Sequence, residues 1–138
     1  MADQVKKLSY CYLTLPHRAG QGDRVLGDLE RAGVNLLAFS AFPDKGGKAQ
    51  IDLAADNLAP LRKIAKQNGW RLSAAKKGFL VQGEDRVGAV RRHIRKLAQE
   101  KINITAADAV AAGKGRYGMI LWVKSKDYRR AAQVLRAK

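Results

Sequence analysis

The chain is 138 residues long, 46% hydrophobic and 28% charged, which is typical of a globular protein. Its 27 Lys and Arg outnumber its 12 Asp and Glu, and the formal net charge of +15 indicates attraction to anionic ligands or partners. No apolar run is long enough to span a bilayer and no signal peptide is recognisable, so we predict a cytoplasmic protein that does not contact membranes. The single cysteine, Cys11, excludes an internal disulfide, and we expect it to be a core residue.

The positive charge is concentrated in the second half of the chain. Residues 1–70 contain 10 Lys and Arg against 7 Asp and Glu, a net charge of +3. Residues 71–138 contain 17 against 5, a net charge of +12. The basic excess therefore belongs to the second half, and it indicates a polyanion, an acidic ligand or an acidic partner there.

The first half predicts the order βαββαβ from alternating apolar residues in strands and apolar residues at helical spacing. In chain order we predict a strand at Leu8–Leu15, a helix at Asp23–Ala32, strands at Val34–Phe42 and Ala49–Ala54, a helix at Asn57–Asn68 and a short strand at Trp70–Ala74. The segment from Pro43 to Gly47 predicts a hairpin turn. In the third strand Ile51 and Leu53 are expected to face inward. Gln50 and Asp52 are expected to face outward.

The second half predicts the order βαββα. Its elements are a strand at Gly78–Gln82, a helix at Asp85–Glu100, strands at Ile102–Val110 and Tyr117–Val123, and a helix at Lys126–Ala137. No eighth strand is predicted. One sheet edge therefore stays open, or it is covered by another part of the protein or by a second subunit.

The two halves are related by an internal repeat. A shift of 68 places aligns residues of the same type and role, namely Arg18 with Arg86, Gly20 with Gly88, Leu29 with Leu97, Asn35 with Asn103 and Gly47 with Gly115. We therefore predict two tandem units, residues 1–75 (βαββαβ) and residues 76–138 (βαββα). Both are of the α+β class and ferredoxin-like, with an antiparallel sheet and its helices on one face.

Two short sequences recur in the repeat: Arg-x-Gly before the first helix and Val/Ile-Asn-Leu/Ile before the second strand. They occur in residues 16–20 (Pro-His-Arg-Ala-Gly) and 32–36 (Ala-Gly-Val-Asn-Leu), and again in residues 83–88 and 101–104. In these sequences the chain resembles the ACT domain family of small regulatory modules that bind amino acids. It is also similar to free-standing bacterial proteins made only of two ACT units. It departs from the family pattern at Ala19 and Val87, where proline is usual, and at Lys101, where glycine is usual.

The resemblance implies a small amino-acid ligand, held between paired units by the first loop and the start of the second strand. The implied site residues are His17, Arg18, Ala19, Gly20, Gln21, Gly22 and Asn35, with the counterparts Glu84, Asp85, Arg86, Val87, Gly88 and Asn103. If one loop alone binds, we expect it to be the first, which is richer in glycine. The resemblance also implies a regulatory role and a homodimer.

The residues of these loops are chemically suited to a carboxylate. Backbone N–H groups at a helix start and an arginine guanidinium both bind carboxylates. In the alternative interpretation the glycines serve only the turn, and the asparagines only hydrogen-bond their own backbone.

The sequence does not predict an enzyme, a metal site or a cofactor. Its two histidines, His17 and His93, lie in no catalytic or metal-binding pattern, and no nucleophile motif is present. We expect His93 to be a partly exposed helix residue.

The alternative function is binding of RNA, DNA or another polyanion, including an acidic protein, by the basic helices of the second half. The residues that predict it are Arg91, Arg92, Arg95, Lys96, Arg129 and Arg130. RNA-recognition modules share the βαββαβ order and stack bases on strand aromatics. Tyr117 and Trp122 are five positions apart and so point to opposite faces of their strand, and we expect at least one of them to be buried.

Overall fold

The structure is a computed structural model that describes residues 3–138. Six strands and four α-helices occur in this range: β1 (Gln4–Pro16), α1 (Gln21–Arg31), β2 (Ala38–Asp44), β3 (Lys48–Ala54), α2 (Ala59–Asn68), β4 (Lys76–Glu84), α3 (Ala89–Gln99), β5 (Ile104–Gly113), β6 (Arg116–Val123) and α4 (Tyr128–Leu135). A short 3-10 helix at Ser125–Asp127 precedes α4. The predicted α+β class is confirmed.

The chain divides into two compact units, and the division differs from the predicted one. The first unit is Ser9–Lys76, and the second unit combines Lys77–Lys138 with the N-terminal segment up to Leu8. The strand order is β2-β3-β1 in the first unit and β1-β4-β6-β5 in the second. Strand β1 contributes its first residues to the second unit and the rest to the first unit.

The core of the first unit lies between its sheet and helices α1 and α2. Strand β3 pairs antiparallel with both β1 and β2, so that Leu53 lies opposite Cys11 on one side and Phe39 on the other. The buried residues of this core are Cys11, Leu13, Val25, Leu29, Ile51, Leu53 and Leu61. The prediction that Cys11 is a core residue is confirmed.

The core of the second unit is built on β6, which pairs antiparallel with β4 and β5. Alternate residues of β6 are buried. They pack against residues of β4, α3 and α4; the buried set includes Phe79, Val81, Leu97, Tyr117, Met119, Leu121 and Leu135. The ring of Phe79 stacks on that of Tyr128 with centroids 4.7 Å apart. Tyr117 is buried and Trp122 only partly so, which confirms their assignment to opposite faces.

The N-terminal end of β1 takes the place of the missing strand in the second unit. It lies beside β4 in the sheet, and Val5 is part of the second core. The N–H of Lys7 donates to the carbonyl of Lys138 at 2.8 Å, and the N–H of Lys138 donates to the carbonyl of Val5 at 2.9 Å. Another part of the chain therefore covers the edge next to β4.

Two strands predicted in the first unit are wrong: one does not exist, and the other begins later than predicted. Residues 70–74 do not form a strand; Ser73 makes two bonds to Tyr12, one through its backbone N–H and one through its Oγ, both at 2.8 Å. Strand β2 begins at Ala38 and not at Val34, because the N–H of Val34 is bonded to the carbonyl of Leu29 and so ends helix α1. The hairpin turn is confined to residues 45–47.

The predicted helix starts are too early in three cases. Helix α3 begins at Ala89, since Gly88 before it has the left-handed φ of 81°. Helix α2 begins at Ala59, whose N–H donates to the side chain of Asn57. Helix α4 begins at Tyr128, after the 3-10 helix.

Asp52 lies on the sheet face opposite the core residues Ile51 and Leu53, as predicted, but it is buried. Asp52 is 9% exposed, and its β3 position lies between Tyr12 on β1 and Ser40 on β2. Burial raises the pKa of its carboxyl above the usual value, although Gln50 Nε2 donates to it at 2.9 Å and Lys76 lies nearby. The alternation along β3 therefore predicted the sheet face on which Asp52 lies, but it did not predict that the side chain on that face is buried.

Candidate ligand site at two helix starts

The first loop joins β1 to α1. His17 N–H donates to the carbonyl of Gly47 at 2.8 Å, which ties the loop to the β2–β3 turn. Gly20 has the left-handed φ of 90° and precedes the helix, and no side chain of the described residues caps the helix start. The N–H of Gln21 donates to the carbonyl of Arg18 at 3.3 Å, so the N–H groups available to an anion are those of Gly22 and Asp23.

The second loop, which joins β4 to α3, has the same construction 68 residues later. Asp85 N–H donates to the carbonyl of Gly115 at 2.9 Å. Gly88 has a φ of 81°, and in the described part of the chain no side chain caps α3. In each unit the fold thus forms the same hydrogen bond from the loop to the hairpin turn and a helix start without a side-chain cap.

The ends of α1 and α3 also match. The N–H of Val34 donates to Leu29 and the N–H of Ile102 donates to Leu97, both at 2.9 Å. Lys101 has the left-handed φ of 56° where Gly33 has 72°. The lysine that departs from the family pattern therefore keeps the backbone conformation of the glycine.

The predicted residues of the first loop are mostly exposed. His17, Arg18, Ala19 and Gly20 are exposed, as is Asn35 between α1 and β2. Gln21 and Gly22 form the first turn of α1 and are half-buried.

The second loop borders a cavity of about 240 Å³ between the start of α3 and strand β5. Its lining includes Arg86, Gly88 and Arg91 on one side and residues 109–111 on the other, with Tyr117 also present. This depression is open to solvent and has room for a small amino acid. The fold thus brings Arg86 and Gly88 together, as predicted for a ligand site.

Other predicted residues of the second loop do not join this cavity. Val87 is fully exposed, and Asn103 is exposed and outside the lining. Glu84 is the last residue of β4 and is also outside the lining, whereas Asp85 belongs to it.

A buried polar cluster reaches the cavity through Tyr117, and sequence reasoning missed it. Asp3 Oδ2 accepts from the hydroxyl of Tyr117 and from Nε2–H of His93, both at 2.7 Å. The side chains of His93 and Asp3 are only 3% and 6% exposed, so the prediction of a partly exposed His93 is wrong. A polar residue at the buried helix position of His93 was the available signal, but its partner lies 90 residues away.

The environment of Asp3 favours its ionised form. Burial by itself would raise the pKa of the carboxyl, but the hydrogen bonds from Tyr117 and His93 and the charge of Arg92 together lower it below the usual value. Burial and the neighbouring carboxylate raise the pKa of Tyr117 well above its usual value. The cluster is therefore a buried carboxylate with two hydrogen-bond donors at neutral pH.

A second concavity, also missed, lies between α1 and α2 in the first unit. It has a volume of about 780 Å³, and its lining is mixed; the polar members are Asp28, Arg31, Asn57, Lys63, Gln67 and Asn68. Asp28 is ion-paired with Arg31 and accepts from Asn68 Nδ2 at 3.1 Å. Two of its three charged residues, Asp28 and Arg31, are thus paired with each other.

The structure within residues 3–138 offers no group of three or more His, Cys, Asp and Glu side chains that could bind a metal. None of the helices in this range has both the length and the apolar character required to cross a membrane.

Solved structures of similar fold include regulatory parts of aspartate kinases. A protein from Bacteroides thetaiotaomicron aligns with a TM-score of 0.72 and 17% identity, over 97% of this chain and 88% of that one. The ligand-free regulatory subunit of aspartate kinase from Thermus thermophilus gives a TM-score of 0.61 and 12% identity, over 98% and 93%. Aspartate kinase from Clostridium acetobutylicum, described as an allosteric enzyme, gives 0.58 and 16%, over 97% of this chain and 33% of that one.

These similarities show an ACT-like α+β fold. No protein-family profile matches the sequence. No curated protein matches it significantly.

Proposed function

We propose that this protein is a non-enzymatic regulatory protein of two tandem ACT-like units, and that it binds a small amino acid or a related carboxylate. The repeated loop geometry is the observation that supports this proposal most strongly. In both units a left-handed glycine precedes an uncapped helix start, and an arginine two positions before that glycine supplies a positive charge. The regulatory subunits of aspartate kinase share the fold, which is consistent with a regulatory role.

The cavity favours the second loop as the binding position. The carboxylate of the ligand would accept from the N–H groups of Val90 and Arg91 at the start of α3 and from the guanidinium of Arg86. Beside Tyr117, the small side chains of Ala109 and Ala111 leave room for a short side chain of the ligand. The protein would act in the cytoplasm by changing its affinity for a partner when the ligand is bound.

Thermal unfolding with each of the twenty amino acids tests the ligand. At a concentration of about 100 times its dissociation constant, the correct ligand stabilises the folded state by about 2.7 kcal/mol. We expect Arg86→Ala to abolish the resulting rise in Tm. Arg18→Ala tests the first loop in the same way.

The matched control is Arg129→Ala, which removes an exposed arginine of the same unit outside the cavity. This variant should retain the full rise in Tm. The proposal is wrong if no amino acid raises Tm at saturating concentration, or if Arg18→Ala and Arg86→Ala both leave the rise unchanged.

The proposal includes a homodimer formed through the exposed edge strand β5. This strand pairs with β6 on one side only, and its residues from Thr105 to Gly113 are exposed, with Val110 at 68%. An unpaired edge of small residues offers free N–H and carbonyl groups to a second copy. We expect light scattering at high concentration to give twice the chain mass. A monomer at all concentrations would contradict this expectation.

A further inference from the structure

The outer face of α3 has a row of cations. Arg91 and Arg92 are followed one turn later by Arg95 and Lys96, and with Gly88 and Gln99 they line a shallow groove of about 380 Å³. A separation of four residues along a helix corresponds to a rise of about 6 Å. The groove therefore presents two successive pairs of positive charges along the helix axis, beginning at the uncapped helix start.

Other residues of the protein do not neutralise the positive charges of this row. Within residues 3–138 none of the four cations forms an ion pair, and α3 contains no acidic residue. Arg92 lies close enough to Asp3 to lower its pKa, but that carboxylate already accepts from His93 and Tyr117. Residues 77–138 hold 15 Lys and Arg against 5 Asp and Glu, so the surroundings do not compensate the row.

Helix α1 is an internal control for what the fold requires. The buried positions Val25 and Leu29 of α1 correspond to His93 and Leu97 of α3 at the spacing of 68. Three of the four outer positions, however, differ in charge, whereas Arg24 matches Arg92. Asp23 stands at the position of Arg91, and Asp28 at that of Lys96. The fold therefore forms this helix without a cationic face, and clustered like charges only destabilise an isolated helix.

We propose that the outer face of α3 binds the phosphate backbone of a nucleic acid duplex. Three of the four cations are arginines, whose planar guanidinium groups make bidentate contacts with phosphate. The N–H of Ala89 is bonded to the carbonyl of Arg86, but those of Val90 and Arg91 have no acceptor among the described residues and add donors that also suit phosphate. Helix α3 has no exposed aromatic side chain for base stacking, so the contacts are to the backbone and independent of base sequence.

The structure reduces the set of residues in the polyanion-binding surface that the sequence predicts. Arg130 Nη1 donates to the carbonyl of Glu100 at 3.0 Å, and Arg130 is also paired with Asp127. Tyr117, whose hydroxyl is bonded to Asp3, is buried and cannot stack on a base. The surface is thus the α3 row alone, without Arg130 and without a base-stacking strand.

Fluorescence anisotropy with a labelled duplex of about 20 base pairs tests the proposal, at salt concentrations from about 50 to 200 mM. The test variant is R91Q/R95Q/K96Q, which leaves the partly buried Arg92 in place. We expect its affinity to fall at least tenfold. The negative slope of log K against log salt should become shallower by about 3, since each phosphate contact contributes about 0.9 to its magnitude.

The matched control, R24Q/K63Q/R71Q, removes three exposed cations from the first unit and so has the same net charge. It should lose clearly less affinity and keep the slope, and urea unfolding should show that both variants are folded. A poly-glutamate peptide and vesicles of anionic lipid are expected to bind more weakly than the duplex. The proposal is wrong if the duplex does not bind at about 50 mM salt, if the control loses as much affinity as the test variant, or if the peptide or the vesicles bind more tightly through α3.

Discussion

Replacement of Asp3 with alanine should lower the free energy of unfolding by about 2–4 kcal/mol, although Asp3 is the first residue that the structure describes. The substitution leaves His93 and the Tyr117 hydroxyl without their shared acceptor in a buried site. It also loosens the N-terminal segment that covers β4 in the second unit. Equilibrium unfolding in urea at neutral pH measures the loss.

The effect of Asp3→Ala should depend on pH in a defined direction. The pKa of Asp3 is lowered in the folded protein, so its contribution is fully present above the unfolded value of 3.8. It is lost as the pH falls from that value through the lower folded pKa. The wild-type protein and the variant should therefore converge in stability in acid.

The control for this prediction is Glu100→Ala, which removes an exposed carboxylate directly after α3 in the same unit. Its stability should differ from that of the wild-type protein by less than about 0.5 kcal/mol. An equal loss in both variants would show that the Asp3 cluster has no special role in stability.

Replacement of Phe79 with alanine should cost about 3–5 kcal/mol, the largest loss we expect from a single substitution in this chain. Phe79 is fully buried, and its ring stacks on Tyr128 at the first turn of α4. The hydroxyl of Tyr128 donates to the carbonyl of Gly78 at 3.0 Å, so the same contact region holds α4 against β4. The substitution would therefore leave a cavity between α4 and β4.

Phe39→Ala on β2 is the matched control, because Phe39 is 42% exposed. It should cost less than half as much as Phe79→Ala. Chemical denaturation followed by circular dichroism compares the two variants, and equal losses would contradict the burial that the structure assigns to Phe79.

Elements with strong local signals were predictable from the sequence. The alternation of β6 and the apolar spacing of α1 gave both elements within about two residues. The spacing of 68 also identified loops that form matching hydrogen bonds, such as His17 with Gly47 and Asp85 with Gly115. In these cases each residue's neighbours in sequence determine its environment.

Features that depend on distant contacts were not predictable. The interaction of Asp3 with His93 joins residues 90 positions apart, and a histidine on a basic helix gives no sign of it. The pairing of Lys7 with Lys138 joins the two ends of the chain. Of the site, the loop residues Arg86 and Gly88 were predictable, but the opposite wall at residues 109–111 was not, because small residues of an edge strand have no binding signature.

The two proposals share Gly88 and Arg91, which line both the cavity and the groove of α3. A ligand carboxylate and a phosphate would both bind beside Gly88 and Arg91. If the two compete, each must weaken the binding of the other by the same factor, because linkage between binding sites is reciprocal. This arrangement would give an amino acid a direct means of releasing a nucleic acid.

The placement of the N-terminal segment implies that the chain tolerates circular permutation. Lys138 is hydrogen-bonded to Val5 and Lys7, so a short flexible linker can join the two ends. New ends at residues 74 and 75 would lie in an exposed segment outside the strands and helices. In the permuted chain the second unit becomes one continuous sequence in the order βαββαβ, in which the element that seemed to be missing is the first strand of the natural chain.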